Sequence, residues 1–159
     1  MRKRIWIAAM VLLLAGSGSG RAQGDRQLRA RPDYPRALEF LHHMQEVLRR
    51  DDRPEMARLI KYPITAATTG GKITVATPEE FVASFDRIID PGVRCELLGA
   101  KDDDLWGNLY GITVGKGTVW FKDFFPKGTT GNIDRPGFWA TGTFLIAEIH
   151  PGSANCKAG

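Results

Sequence analysis

The chain is poor in several features whose absence narrows what it can be. It carries two cysteines and three histidines in 159 residues, with no His-Glu-x-x-His and no Cys-x-x-Cys. The common zinc and thiol-redox signatures are therefore missing. Its longest apolar run, Ile5 to Ala15, falls short of the roughly 18–20 residues that a membrane span needs. No internal repeat is visible. What is present suits a globular protein: 43% hydrophobic, 9% aromatic and 25% charged residues, with eighteen glycines to make turns. At this length that mixture predicts one domain with a single core, neither disordered, collagenous nor disulfide-dense.

The N-terminus reads as an address. Arg2, Lys3 and Arg4 precede the apolar stretch Ile5–Ala15, and a small, flexible segment from Gly16 to Gly20 follows. Gly20-Arg21-Ala22 places small residues where a signal peptidase reads, so residues 1–22 are expected to be a secretory signal cleaved after Ala22. A single membrane anchor is disfavoured by the short apolar stretch, and a buried helix by Gly-Ser-Gly-Ser-Gly. No cysteine lies near the cleavage point, so lipid attachment is not expected. The implied location is periplasmic or secreted, with no stable membrane insertion. Removing Arg2, Lys3, Arg4 and Arg21 leaves 18 basic side chains against 18 acidic ones. The basic balance belongs to the address and gives no argument for nucleic acid.

An oxidising compartment makes Cys95 and Cys156 natural disulfide partners. Their Cα atoms are then expected within about 4.4–6.8 Å. The rival reading is two free thiols, one of them nucleophilic, for which Arg94 and Lys157 beside them are thin support.

Residues 23–33 are polar, Arg-rich and without hydrophobic period, and are expected to be a mobile, flexible lead-in. A first helix is predicted near Pro35, capped by Asp33, with Leu38, Leu41, Met44, Val47 and Leu48 on one face. Pro54 opens a short second helix through Met56, Leu59 and Ile60, stopped by Tyr62-Pro63. Ile64 to Val75 reads as a hairpin around Gly70-Gly71. Thr77-Pro78-Glu79-Glu80 is a capping box, followed by Phe81, Val82, Phe85, Ile88 and Ile89 on one helical face. Asp90-Pro91-Gly92 is expected to end that helix. Strands are predicted at Val93–Gly99, Leu105–Val114, Thr118–Phe124 and Phe138–His150, with a loop at 125–137. Gly115-Lys116-Gly117 is read as a three-residue turn, so that Val114 faces Thr118, Ile112 faces Trp120 and Tyr110 faces Lys122. The order describes an α+β domain, residues 34–159, whose N-terminal helices pack on a curved antiparallel sheet.

Three stretches carry a resemblance. They are Leu59-Ile60-Lys61-Tyr62-Pro63, Glu80-Phe81 through Phe85-Asp86, and Asn108-x-x-Gly111-x-x-x-Gly115-x-Gly117-x-x-Trp120. Together with the element order they resemble the NTF2-like (cystatin-like) superfamily, and within it a group of uncharacterised exported bacterial proteins. The resemblance implies a cone-shaped domain with a pocket between sheet and helices. That superfamily spans isomerases, dehydratases, transport factors and accessory proteins, so it chooses no function.

The chemistry is sparse. His42 and His43 are neighbours on a helix and point about 100° apart, so they cannot chelate one metal as an i, i+4 pair would. Asp102-Asp103-Asp104 lacks the alternating spacing and later Glu of a calcium loop. Gly111-x-x-x-Gly115-Lys116-Gly117 is one residue short of a phosphate loop and lacks its Ser or Thr. No metal or cofactor is expected. Trp106, Asn108, Tyr110 and Trp120 fall on one sheet face in the predicted register, and Asp86 or His42 is placed to reach a pocket there. These are the candidate ligand-binding residues. The expected function is that of a non-catalytic domain of the bacterial envelope, binding a small molecule or an envelope protein, with a homodimer left open. The alternative is an isomerase- or dehydratase-type enzyme with Asp86 as base beside Tyr110. It requires Asp86 in a closed apolar pocket.

Overall fold

The computed structural model of the chain describes residues 28–108, 110–115, 117–129, 142–153 and 156. The expected signal, the start of the lead-in, the later part of the 125–137 loop and the strand start at Phe138 lie outside the described residues. The described part of the expected flexible lead-in is instead packed on the fold: Leu28 and Arg29 are helical, and Leu28 is buried against Gly107, where an added Cβ would stand 2.8 Å from a Leu28 methyl.

Two helices precede the first strand after the helical residues Leu28 and Arg29. Helix α1 (Tyr34–Arg49) starts with Pro35 in its first turn, where the missing N–H costs nothing. Asp33 occupies the cap position without capping, because Arg31 takes both its oxygens at 2.9 and 2.6 Å. Leu41, Met44, Val47 and Leu48 are buried along the predicted face. Each such side chain contributes roughly 1.5–3 kcal/mol by leaving water. Helix α2 (Arg53–Arg58) is capped by Asp52, whose side chain accepts from the Glu55 N–H at 3.1 Å. The Tyr62–Pro63 peptide that follows is cis.

Strands β1 (Ile64–Thr68) and β2 (Gly71–Val75) form the predicted hairpin, paired from Ile64↔Val75 to Thr68↔Gly71. Thr77 caps α3 (Pro78–Ala83), and the Glu80 carboxylate reaches back to the Ala76 N–H at 2.7 Å. The helical stretch breaks at Ser84 before α4 (Phe85–Ile88), yet Phe81, Phe85 and Ile88 are all buried.

The stretch predicted as the strand Val93–Gly99 is instead helix α5 (Pro91–Gly99). The Asp90-Pro91 step starts a helix as well as ending one: the Asp90 carboxylate accepts from the Val93 N–H at 2.8 Å. Val93 and Leu97, four apart, are the buried pair. Gln45 of α1 donates to the carbonyls of Leu97 and Ala100 at 2.9 and 2.8 Å, satisfying the end of α5.

The stretch Leu105–Val114 is likewise two strands, β3 (Trp106–Asn108) and β4 (Gly111–Val114), joined by a tight turn. With β5 (Val119–Phe124) and β6 (Thr143–Ile149) they make a four-stranded antiparallel meander in chain order. The β4–β5 register differs from the predicted one: Val114 pairs with Val119, Thr113 with Trp120 and Ile112 with Phe121. A one-residue slip exchanges the faces. Ile112, Val114, Val119, Phe121, Ile146 and Ile149 turn to the helices and are buried. Ile60 bridges in parallel to Ile146, which seats the β1–β2 hairpin beside β6. The chain is thus an α+β domain of helices on antiparallel sheets. Among the described residues no helix is long and apolar enough to cross a membrane.

Candidate functional site

The meander brings together two of the candidates and separates the rest. Trp106, Thr113, Trp120 and Glu148 form one row across β3 to β6 on the face turned away from the helices. The rings of Trp106 and Trp120 meet edge to face, 5.9 Å apart, an arrangement favoured by their quadrupoles. They lie across Thr113, which is buried beneath them and donates to the Val119 carbonyl at 2.9 Å. Both indoles are themselves half-buried.

Asn108 ends β3, and its side-chain oxygen accepts from the Tyr110 N–H at 2.8 Å, so it organises the turn. Tyr110 stands on that turn with 81% of its surface exposed. Asp86 lies on α4 with its side chain 74% exposed, and Arg53 holds both its oxygens at 2.9 and 3.0 Å. The shielded carboxylate required for acid–base chemistry at Asp86 is therefore not there. His42 is exposed as well and hydrogen-bonds Asp102 at 2.7 Å.

Two carboxylates are shielded among the described residues: Asp33, which Arg31 holds, and Asp123, which is not among the sequence-predicted site residues. Asp123, near the end of β5, turns inward with its side chain only 4% exposed. Arg36 of α1 grips it with two nitrogens at 3.2 and 3.1 Å and also donates to the Gly142 carbonyl at 2.6 Å. Burial pushes the Asp123 carboxyl above its ordinary range, and Arg36 opposes that shift. With Arg31–Asp33 alongside, this is a buried two-pair charge cluster that pins α1 to the sheet. The signal was available in the alternation of β5: with Phe121 inward, Asp123 must be inward too and needs a cation. The slipped register hid it.

Electrostatics elsewhere follow surface pairing. Hydrogen bonds from Arg94 and Arg53 hold the Asp51 carboxyl below its usual range. Among the described residues no group of three His, Cys, Asp or Glu side chains could hold a metal ion.

The Cys95–Cys156 disulfide is formed, with Cα atoms 5.9 Å apart. It ties the C-terminal segment to helix α5, where the sequence reading placed the edge of a sheet. Compared with protein-family models, curated proteins and solved structures, the chain matches none.

Proposed function

We propose that the chain is an exported, NTF2-like domain of the bacterial envelope that binds a ligand or partner without catalysing a reaction. The observation that carries the binding is the Trp106–Trp120 pair: two half-buried indoles side by side on the sheet face turned away from the core. Aromatic rings with a wet edge are recurrent anchors of recognition surfaces. Export is supported by the Cys95–Cys156 bridge, since such bonds persist in oxidising compartments. The NTF2-like assignment is supported by the element order, two helices, hairpin, helices and meander, with the hairpin seated beside the last strand. The enzyme alternative loses its base, because Asp86 faces solvent and Asp123 is clamped by Arg36.

The test pairs fractionation with capture. The full chain expressed in a Gram-negative host is expected in the osmotic-shock fraction, and the tagged protein should retain an envelope component that Trp120→Ala releases. Retention in the cytoplasm, or capture indifferent to Trp120→Ala, contradicts the reading.

A further inference from the structure

The outer face of the meander continues past the tryptophans. Along β5 the outward residues are Trp120, Lys122 and Phe124, alternating with the buried Val119 and Phe121. Two residues of strand span about 6.6 Å, so these three side chains leave β5 at even steps. Lys122 reaches forward over the Phe124 ring, 5.4 Å from its centroid. Lys61, from the segment that bridges to β6, covers the same ring at 5.6 Å. Two cations thus converge on one aromatic face, each held by its quadrupole. Both lysines are exposed, and neither has a carboxylate partner among the described residues. At the other end, Glu148 lies across from Trp120, with one oxygen 3.3 Å from His150.

This order of groups selects a ligand. Indole faces stack on flat apolar surfaces, the Glu148 carboxylate accepts from hydroxyls, and the lysines await negative charge. A uronate-type glycan offers these in repeat: a ring with an apolar face, hydroxyls, and one carboxylate per sugar. Resting on the envelope-binding reading above, we infer that Trp106, Trp120, Lys122, Phe124, Lys61 and Glu148 form a strip for an extended, carboxylate-bearing glycan.

The experiment titrates the purified chain, whatever compartment it came from, with hexagalacturonate, following tryptophan fluorescence and calorimetry. Export is read separately by fractionation, so failure of the strip and failure of the envelope reading are told apart. Saturable quenching by hexagalacturonate that weakens with added salt is expected. Lys61→Gln with Lys122→Gln should weaken binding roughly tenfold or more, as should Trp120→Ala, while Trp120→Phe retains part of it. Both lysines are exposed, so their variants fold and carry the test even if Trp120→Ala does not. Equal affinity for neutral maltohexaose overturns the role of the lysines and with it the proposal. Equal or tighter binding of polyphosphate or single-stranded DNA overturns the glycan. Absence of a saturable change, or a shift in oligomeric mass with Trp120→Ala, overturns it as well.

Discussion

Gly92 and Gly152 meet backbone to backbone across the fold. A Cβ added at Gly92 would sit 2.9 Å from the Gly152 carbonyl carbon, and one added at Gly152 would run into the Gly92 carbonyl and the Val93 nitrogen. Gly92, Cys95 and Glu96 stand at i, i+3 and i+4, one stripe of α5. Each holds the C-terminal segment: Gly92 by close contact, Cys95 by the disulfide, and Glu96 by accepting from the Ser153 N–H at 2.7 Å. The other Glu96 oxygen accepts from the Thr118 hydroxyl, which ties the β4–β5 turn to the same helix.

Gly152→Ala should therefore destabilise the protein by about 1–3 kcal/mol, the usual cost of overpacking. Gly99→Ala, at the end of α5 with nothing within 4 Å of the added methyl, should raise stability by about 0.4–1 kcal/mol. Urea unfolding of the two variants checks the opposite signs.

The disulfide closes a loop between residues 61 positions apart. In the chain-entropy account that constrains the unfolded state by about 4 kcal/mol. Cys95→Ser should lose stability of that order, and reducing the wild type should lose the same amount. Reduction should leave the variant unchanged. Melts with and without dithiol compare the four conditions.

Asp123→Leu leaves the Arg36 guanidinium facing the sheet without its carboxylate. Breaking a buried pair on one side costs about 3–5 kcal/mol, and the low end applies because Arg36 keeps 30% of its side chain exposed. Arg36→Leu combined with Asp123→Leu should be less damaging than the sum of the single changes. A double-mutant cycle by chemical denaturation measures the coupling.

Tyr62 is half-buried and donates its hydroxyl to the Ala57 carbonyl at 3.0 Å. Burial pushes its phenol from 10.0 up to about 12. The fold thus holds the proton that the unfolded chain releases first. Stability from this group is fully present below about pH 10 and declines as pH rises toward about 12. Tyr62→Phe should flatten the alkaline fall of the melting temperature between those values, while costing about 1 kcal/mol at neutral pH for the lost hydrogen bond.

Where one short-range signal decided the structure, the sequence was readable. Pro35, Pro54 and Thr77 announce their helices through caps and first turns, and the α1 face keeps one period over four turns. Val93–Gly99 defeated that reading because Val93, Cys95 and Leu97 fit a strand while Val93 and Leu97 equally fit a helix. The β4–β5 register slipped because Thr118 joins the turn to reach Glu96, a partner 22 positions away that no local pattern reveals. Of the candidate site, Trp106 and Trp120 do share a face, but across Thr113 and not through Ile112 as the predicted register has it: the β3–β4 turn and the one-residue slip each exchange the faces, and the two errors cancel. Asp86 was not legible, since its partner Arg53 is 33 positions away on another helix. Lys61 and Phe124 were missed for the same reason: they meet only when the hairpin segment lies beside β6.

The central claim is an exported domain closed by its disulfide, and the intact mass of the protein recovered from the osmotic-shock fraction tests it most directly. The account expects a chain that begins at Gln23 and is two hydrogens lighter than the dithiol form, with alkylation adding nothing until a reductant is supplied. A chain that retains residues 1–22, or that takes up two alkyl groups without reduction, contradicts it.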